Sequence, residues 1–299
     1  MKILNYGSLN IDYTFQVETI AQPGQTIAAD RVSRFPGGKG FNQSLALARA
    51  GAHPYHAGII GRDGLFLRQM LEKDGADCRY LQVREDVDTG SAFIQVDRRG
   101  QNCIVLNGGA NRANTEADCR QVLRDFGAGD WILLQNEISG VNRIIDLAAE
   151  KGMRVIFNPS PMTDDVLSCS LSRVSLFLMN EDEGARMTGR EEPEQILRRM
   201  TEKYPEAEVI LTLGEKGALW TDGQRTVHQD AVHVQTVDTT GAGDTFTGYV
   251  IACLFRGQSI EKSLETAAKA SAIAVTRQGA GASIPYLGEV SQLSDGHRE

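Results

Sequence analysis

The run Val237-Asp238-Thr239-Thr240-Gly241-Ala242-Gly243-Asp244-Thr245-Phe246 decides how the rest of the chain is read. Gly241-Ala242-Gly243 lets backbone amides approach an anion with no side chain in the way. The residues behind it, Asp244-Thr245-Phe246-Thr247-Gly248-Tyr249-Val250-Ile251-Ala252, read as the start of an apolar helix. A glycine turn opening a helix aims unpaired N–H groups and the positive end of the helix dipole at one point. A carboxylate beside those amides can serve as a base where negative charge develops. The plain alternative is an ordinary helix start with Asp or Thr as its cap.

Outward from this run, short apolar segments alternate with helical stretches, the pattern of βα units around a parallel sheet. Strands are expected at 2–6, 53–59, 131–135, 154–158, 176–179 and 208–213. Helices are expected near 40–50, 65–74, 116–124, 141–151, 193–203, 243–256 and 260–277. Several strands run into polar groups: Gln135-Asn136-Glu137, Asn158-Pro159-Ser160, Asn180-Glu181-Asp182-Glu183 and Thr212-Leu213-Gly214. In an open α/β sheet that carboxyl edge is where ligands bind. Helix caps account for some of these residues, but not for so many amides and carboxylates together.

Two segments break the rhythm. Residues 13–17 with 25–34 alternate, and so do 90–97 and 102–106 on either side of Arg98-Arg99-Gly100. Such alternation around a turn reads as antiparallel hairpins. They form a small sheet over the ligand edge, a lid of the kind that keeps water from reactive phosphates. A half-exposed sheet also suits a homodimer made through the lids.

Composition narrows the partners. The 299 residues carry a net charge of −8, which argues against nucleic acid or an anionic membrane as a general partner. Cys78, Cys103, Cys119, Cys169 and Cys253 are scattered, with no pair at zinc or redox spacing, as in a reduced cytosolic protein. Met1-Lys2-Ile3-Leu4-Asn5-Tyr6-Gly7 is too short and polar for a secretion signal, and no window approaches the roughly 18 apolar residues of a spanning helix. The expectation is a cytoplasmic protein.

Three further constellations carry chemistry. Gly37-Gly38-Lys39-Gly40-Phe41-Asn42-Gln43 opens the helix at 44–50, with Lys39 and Asn42 as donors on its first turn. It fits neither the Walker A spacing nor the dinucleotide fingerprint. In Gly7-Ser8-Leu9-Asn10-Ile11-Asp12, Asn10 and Asp12 share a parity and so point to one side of an extended backbone. An amide beside a carboxylate suits sugar hydroxyls, which both donate and accept; a polar strand end facing solvent is the alternative. Asn180 and Glu183, one helical turn apart, suit a hydrated Mg²⁺ riding on a nucleotide, or else form a capping box.

Gly37-Gly38-Lys39-Gly40-x-Asn42-Gln43 and the opening run from Asp238 to Phe246 resemble the two signature regions of the ribokinase-like (PfkB) carbohydrate kinase family. The resemblance runs over essentially the whole chain. It takes in Gly7-Ser8-x-Asn10-x-Asp12, Gly108-Gly109-Ala110-Asn111, Asn158-Pro159-x-Pro161, Asn180-Glu181-x-Glu183, Thr212-Leu213-Gly214 and Ala272-Ile273-Ala274-Val275-Thr276-Arg277. It implies one domain over 1–299: a three-layer α/β/α sandwich with a mostly parallel central sheet, plus a small antiparallel β lid built from roughly 10–36 and 89–107.

The resemblance also implies an activity, transfer of the γ-phosphate of ATP to a sugar's primary hydroxyl, with ribose the expected acceptor. Asp244 matches the catalytic aspartate, and Gly241, Ala242 and Gly243 match the anion hole. Asn10, Asp12, Gly38, Lys39, Asn42 and Glu137 match sugar-contacting positions. Asn180 and Glu183 match the motif associated with Mg²⁺ and phosphate, and Thr212 and Gly214 lie where the nucleotide is held. Asp238, Thr240, Ala274, Arg277, Gly279 and Ser283 match positions that bind an activating monovalent cation, K⁺, largely through main-chain oxygens.

There are departures. Thr239-Thr240 stands where some relatives have a β-branched apolar residue, and the lid turn Arg98-Arg99-Gly100 is basic, which reads as a solvated loop. Ala92, Ile94 and Asn107 are where sugar specificity would be written. Other acceptors are deoxyribose, a ketose or its phosphate, or a nucleoside. A phosphorylated acceptor would want more cations than Lys39, and a nucleoside would want aromatic walls, for which only Tyr13 and Phe15 are near. A catalytically silent sugar-binding regulator is disfavoured by the intact Asp244 and Gly-Ala-Gly run.

Overall fold

A computed structural model describes residues 1–293. In chain order its strands are β1 (Ile3–Tyr6), β2 (Asn10–Val17), β3 (Ala29–Gly37), β4 (Tyr55–Gly61), β5 (Asp77–Arg84), β6 (Gly90–Val96), β7 (Asn102–Asn107), β8 (Trp131–Gln135), β9 (Arg154–Asn158), β10 (Leu176–Asn180), β11 (Glu208–Thr212), β12 (Ala218–Thr221) and β13 (Thr226–Gln229). The helices are α1 (Lys39–Arg49), α2 (Leu65–Lys73), α3 (Glu116–Leu123), α4 (Val141–Glu150), α5 (Glu181–Thr188), α6 (Pro193–Lys203), α7 (Ala242–Phe255), α8 (Ile260–Val275) and α9 (Leu287–Gln292).

The main sheet has nine strands in the order β13-β12-β11-β10-β9-β8-β1-β4-β5. It is parallel except where β12 and β13 turn back at one edge. Successive residues of each strand point to opposite faces, and both faces are apolar. Ile3, Leu133, Ile156, Leu178 and Ile210 pack with α1, α2, α7 and α8 on one side. Leu4, Leu134, Phe157, Met179 and Leu211 pack with α3 to α6 on the other. This is the expected three-layer α/β/α arrangement.

The chain winds outward from β1 in two directions, to β4 and β5 and, later, to β8 through β11. The order therefore reverses between β1 and β8, and the loops leaving their carboxyl ends part over a crevice. Those loops carry Gly7-Ser8-Leu9 and Asn136-Glu137, so the topology puts two of the sequence constellations at one place.

The second sheet has the order β3-β2-β6-β7. It is built of two antiparallel hairpins, β2–β3 and β6–β7, as expected. They join through a parallel pairing of β2 with β6, so the lid is mixed rather than wholly antiparallel. At the β6–β7 turn Asp97 Oδ1 accepts from the amides of Arg99 and Gln101, and Arg98 meets Glu18 only in an exposed pair at 3.4 Å. That agrees with a solvated turn.

Boundaries moved where local chemistry intervened. The expected strand 53–59 begins at Tyr55 because His53 sits at φ 48°, left-handed backbone that cannot extend. The helix expected to 277 ends at Val275: the Thr276 and Arg277 amides turn back to Ile273 O and Ala274 O, and Val275 O accepts from the amides of Val237 and Asp238. Among the described residues no helix is long and apolar enough to cross a membrane.

Candidate active site

Two glycine-led helix starts face the crevice, and their amides have different fates. At α1 the N–H of Lys39 donates to Glu137 Oε2 at 2.9 Å, that of Gly40 to Ser8 Oγ at 3.2 Å, and that of Phe41 to Ser8 O at 2.8 Å. This start is closed by its own protein. At α7 the residue before the first turn, Gly241, is left-handed at φ 77°, and no side chain caps the helix. The expected alternative of an Asp or Thr cap is therefore not what forms. Asp238 instead accepts from Thr240 N and Oγ1 and, across the loop, from Gly279 N at 2.9 Å.

The amide of Ala242 donates to Thr239 O at 3.2 Å. Among the described residues no acceptor is bonded to the amides of Gly241, Gly243 or Asp244. Of the three residues matched to an anion hole, Ala242 thus contributes an occupied donor, and Asp244 adds its own amide to the open set. Gly241 is fixed twice over. Its φ favours glycine, and a Cβ there would stand 2.9 Å from the Ala280 backbone.

Asp244 itself is 8% exposed and stands in the first turn of α7. Asn42 Nδ2 donates to its Oδ2 at 3.0 Å and Gln43 Nε2 to its Oδ1 at 2.9 Å. Neighbouring residues of α1 thus hold both carboxylate oxygens. Asn42 Oδ1 is buried without a partner in the protein. A buried acceptor in that condition is costly unless a ligand donor reaches it.

Lys39 is surrounded by negative charge. Burial works against its ammonium, but Asp244, Glu137 and Glu183 outweigh that and hold it above its ordinary value. Glu137 also accepts a short hydrogen bond from Ser8 Oγ. Asn10 and Asp12 lie on one face of β2, as their shared parity required. Asn10 Oδ1 accepts from Asn111 Nδ2 at 2.7 Å, and the Asp12 carboxyl packs directly on Gly37, where no Cβ would fit. Burial, with the Glu137 charge second, pushes the Asp12 carboxyl up to about 6.

Asn180 and Glu183 form the reciprocal capping box of α5, at 2.8 and 3.0 Å. They also line a polar cavity of about 270 Å³ together with Lys39, Asn158, Gly243 and Asp244. The two readings of this pair are compatible, since the box engages one oxygen of Glu183 and leaves the other. Among the described residues no group of three or more His, Cys, Asp or Glu side chains is arranged to hold a metal.

A second cavity of about 460 Å³ adjoins the first through Thr212, Thr239 and Gly243. Gly214 lies there, and the far walls are apolar, with Val232, Val234, Phe246, Ala268 and Val275. One end of the joined space is thus polar and flanked by open amides; the other is a hydrophobic slot. Asn10, Asp12, Gly38 and Glu137 line neither cavity. Glu137 reaches the polar one through Lys39, whose backbone N–H and charge it engages.

The remaining expected residues fall on the loop before α7 (Asp238, Thr240), at the end of α8 (Ala274) and on the loop after it (Arg277, Gly279, Ser283). Asp238 is tied to Thr240 and Gly279, Arg277 N donates to Ala274 O at 3.1 Å, and Ser283 Oγ donates to Ala280 O at 2.7 Å. The Asp238 carboxyl stays below its usual range: burial opposes this, but the bonds from Thr240 and Gly279 prevail. Arg49, paired with Asp74, donates to Gly281 O and Ile284 O and so pins the loop to the end of α1.

The sequence reading assigned no role to Gln43, Gln135, Asn5 or Ser8, although all meet at this site. The available signal was a run of amides at the ends of adjacent strands, two of them, Gln135 and Asn158, paired in register.

Residues 1–287 match the pattern of the pfkB family carbohydrate kinases. The chain is 33% identical over 298 residues to a ribokinase of Haemophilus influenzae, covering 96% of each. A deoxyribokinase of Salmonella typhi is 28% identical over 302 residues, covering 98% of each. The solved structure of Arabidopsis thaliana ribokinase complexed with ribose and ATP superposes with a TM-score of 0.86 at 30% identity, over 97% of both chains.

Proposed function

The chain belongs to the pfkB family of carbohydrate kinases, and from that we propose that it transfers the γ-phosphate of ATP to the 5-hydroxyl of ribose. It is a phosphotransferase with an alcohol acceptor. The observation that carries the reading is the contrast between the two helix starts. The amides of α1 are closed by Ser8 and Glu137, whereas those of α7 open beside a carboxylate. Ribose as acceptor is supported by the ribokinases among the relatives, one of them solved with ribose and ATP. The deoxyribokinase relative makes deoxyribose the competing acceptor.

In this reading the apolar slot takes the base of ATP, and Thr212, Gly214 and Asn180 flank its path toward α7. The γ-phosphoryl group meets the amides of Gly241, Gly243 and Asp244, with Ala242 in the same turn. Asp244 takes the hydroxyl proton. A carboxylate is a weak base for an alcohol, so transfer comes late, once bonding to phosphorus has acidified the hydroxyl. Asn10, Asp12, Gly38, Lys39, Asn42 and Glu137 hold the sugar, Asn42 with its unpartnered Oδ1. Mg²⁺ fits near Asn180 and Glu183, held through water or phosphate, where it would neutralise charge on the transferring group. The fit rests on the Glu183 oxygen left over from the capping box. A monovalent cation fits between the loop of Asp238 and Thr240 and the segment closing α8, at Ala274, Arg277, Gly279 and Ser283. Asp238 supplies charge there, and Ala280 of the loop after α8 packs on Gly241.

The same reading places the enzyme in the cytoplasm as a homodimer joined through its lids. Phe35 and Leu106 lie in register with Asp12 and Ala92 on one lid face and are 47% and 61% exposed. Light scattering at the mass of one chain would refute the dimer.

The deciding experiment is ADP release with ribose, deoxyribose, hexoses and nucleosides, each with K⁺, Na⁺ or neither. Ribose is expected to give the highest kcat/KM, with K⁺ raising it on the order of tenfold. Turnover on none of them with sugar binding retained would sink the kinase reading, and indifference to the cation would sink the loop assignment.

Asp12 adds a pH signature. Its ionised form accepts hydroxyl hydrogens, and that form is lost as pH falls through about 6. Sugar KM should be flat above pH 7 and rise about tenfold per unit below the pKa. Asp12→Asn should bind more weakly with a flat profile. A wild-type KM constant from pH 5 to 7 would remove Asp12 from the sugar site.

A further inference from the structure

We propose that Gln43 is a positioning residue for the Asp244 carboxylate, held in turn by Gln135; this rests on Asp244 being the base proposed above. Gln43 Nε2 donates to Asp244 Oδ1 and also to Asn158 Oδ1 at 3.0 Å, while its Oε1 accepts from Gln135 Nε2 at 2.6 Å. Asn158 cannot offer its nitrogen instead, because Nδ2 donates to Leu178 O. Gln135 is fixed by a second bond, Nε2 to Asn5 Oδ1 at 2.9 Å. Asn5 Nδ2 then donates to Gly40 O and Ser44 Oγ. The network starts on α1, crosses β8 and β1, and returns to α1.

Its polarity is therefore set throughout. Turning the Gln43 amide over would put its oxygen against the Asp244 carboxylate and Asn158 Oδ1, acceptor on acceptor, and its nitrogen against Gln135 Nε2. Asn5, Gln43, Ser44 and Gln135 are fully buried, so water cannot stand in for a lost partner. Asn42 and Gln43 reach opposite oxygens of one carboxylate, which fixes its plane as well as its position. A base that must meet one hydroxyl proton depends on that plane. The other charged groups facing the site are Lys39 at the start of α1, Glu137 after β8 and Glu183 on α5.

The test compares Gln43→Glu, Gln43→Met and Asp244→Asn by kcat, sugar KM, the pH profile of kcat and thermal unfolding. Gln43→Glu keeps the side chain's shape but sets a second carboxyl against Asp244 Oδ1. It should lose about 10²-fold in kcat, with sugar KM nearly unchanged and the acid limb of the profile moved up by about one unit or more. Gln43→Met removes the donor without adding charge and should lose about tenfold in kcat, again with KM nearly unchanged. Should Gln43→Glu fail to fold, Gln43→Met decides.

Unchanged kcat and acid limb would overturn the proposal. So would a kcat loss in Gln43→Met matched by a raised sugar KM and a lowered melting temperature, with the limb unmoved. An active Asp244→Asn would instead refute the base reading. An inactive Asp244→Asn beside unaffected Gln43 variants would refute the positioning role alone.

Discussion

Asp244→Asn should keep its affinity for sugar and lose about 10³-fold in kcat, the range expected when a general base is removed from a positioned site. The substitution changes little in volume, and it relieves a buried charge. Its cost is local. Asn42 Nδ2 and Gln43 Nε2 both point donors at the side chain, so whichever way the new amide turns, one N–H₂ faces another donor. The sugar contacts proposed for Asn10, Asp12 and Lys39 stand on other elements, β2 and α1, and would remain. Calorimetric titration with sugar, set beside steady-state kinetics, separates the two. A variant within tenfold of wild-type kcat would dismiss Asp244 as the base.

The second large effect is expected from Gly248→Ala, one turn along α7 from Asp244. A Cβ at Gly248 would lie 2.3 Å from Ala46 Cβ, 2.9 Å from Leu47 N and 3.0 Å from Gln43 O. The helix carrying the open amides thus rests backbone to backbone on the helix carrying Asn42 and Gln43. α7 cannot retreat, because Phe246, Tyr249, Val250, Ile251, Ala252 and Cys253 are all buried around it. Overpacking of this kind costs about 1–3 kcal/mol, or several degrees of melting temperature. It also shifts Asp244 against its two donors, and a displacement of about 1 Å can cost on the order of 10²-fold in rate. Thermal unfolding and kinetics should both respond. Gly288→Ala, where a Cβ meets nothing within 4 Å, serves as the control. Wild-type melting and kcat in Gly248→Ala would mean that α1 and α7 are not held in register there.

Much of the layout was legible because it obeys local rules. The apolar runs that became β1, β8, β9, β10 and β11 are buried on both faces, and a continuous apolar run announces such a strand. β5 was missed because Arg79, Gln82 and Arg84 break its pattern at the sheet edge, where one side meets water. β12 and β13 were missed although Asp222-Gly223 marks their turn, since each has only four residues. In the site, the glycine run and Asp244 could be read from spacing. Which glycine-led helix was open could not. That turned on Glu137, 98 residues from Lys39, and on Ser8, 32 from Gly40. Gln43 has no visible role in its motif, because its partners Gln135 and Asp244 lie 92 and 201 residues away. Contacts of that span leave no periodic trace in a single chain.

Both arms of the small sheet depart from the main sheet and return to it at the same edge. β2 and β3 fill the gap between β1 and α1, and β6 and β7 the gap between β5 and α3. Cutting either arm back to its root would leave the order of the nine strands intact, with Asn10 and Asp12 as the stub of the first arm. In the reading proposed above, the arms bring Asn10, Asp12 and the lid positions Ala92, Ile94 and Asn107 to the sugar, whereas Gly38, Lys39, Asn42, Glu137 and the phosphate-facing turn belong to the frame. On that reading, remodelling the two arms would alter part of the sugar's surroundings while α1 and α7, locked at Gly248, stay as they are.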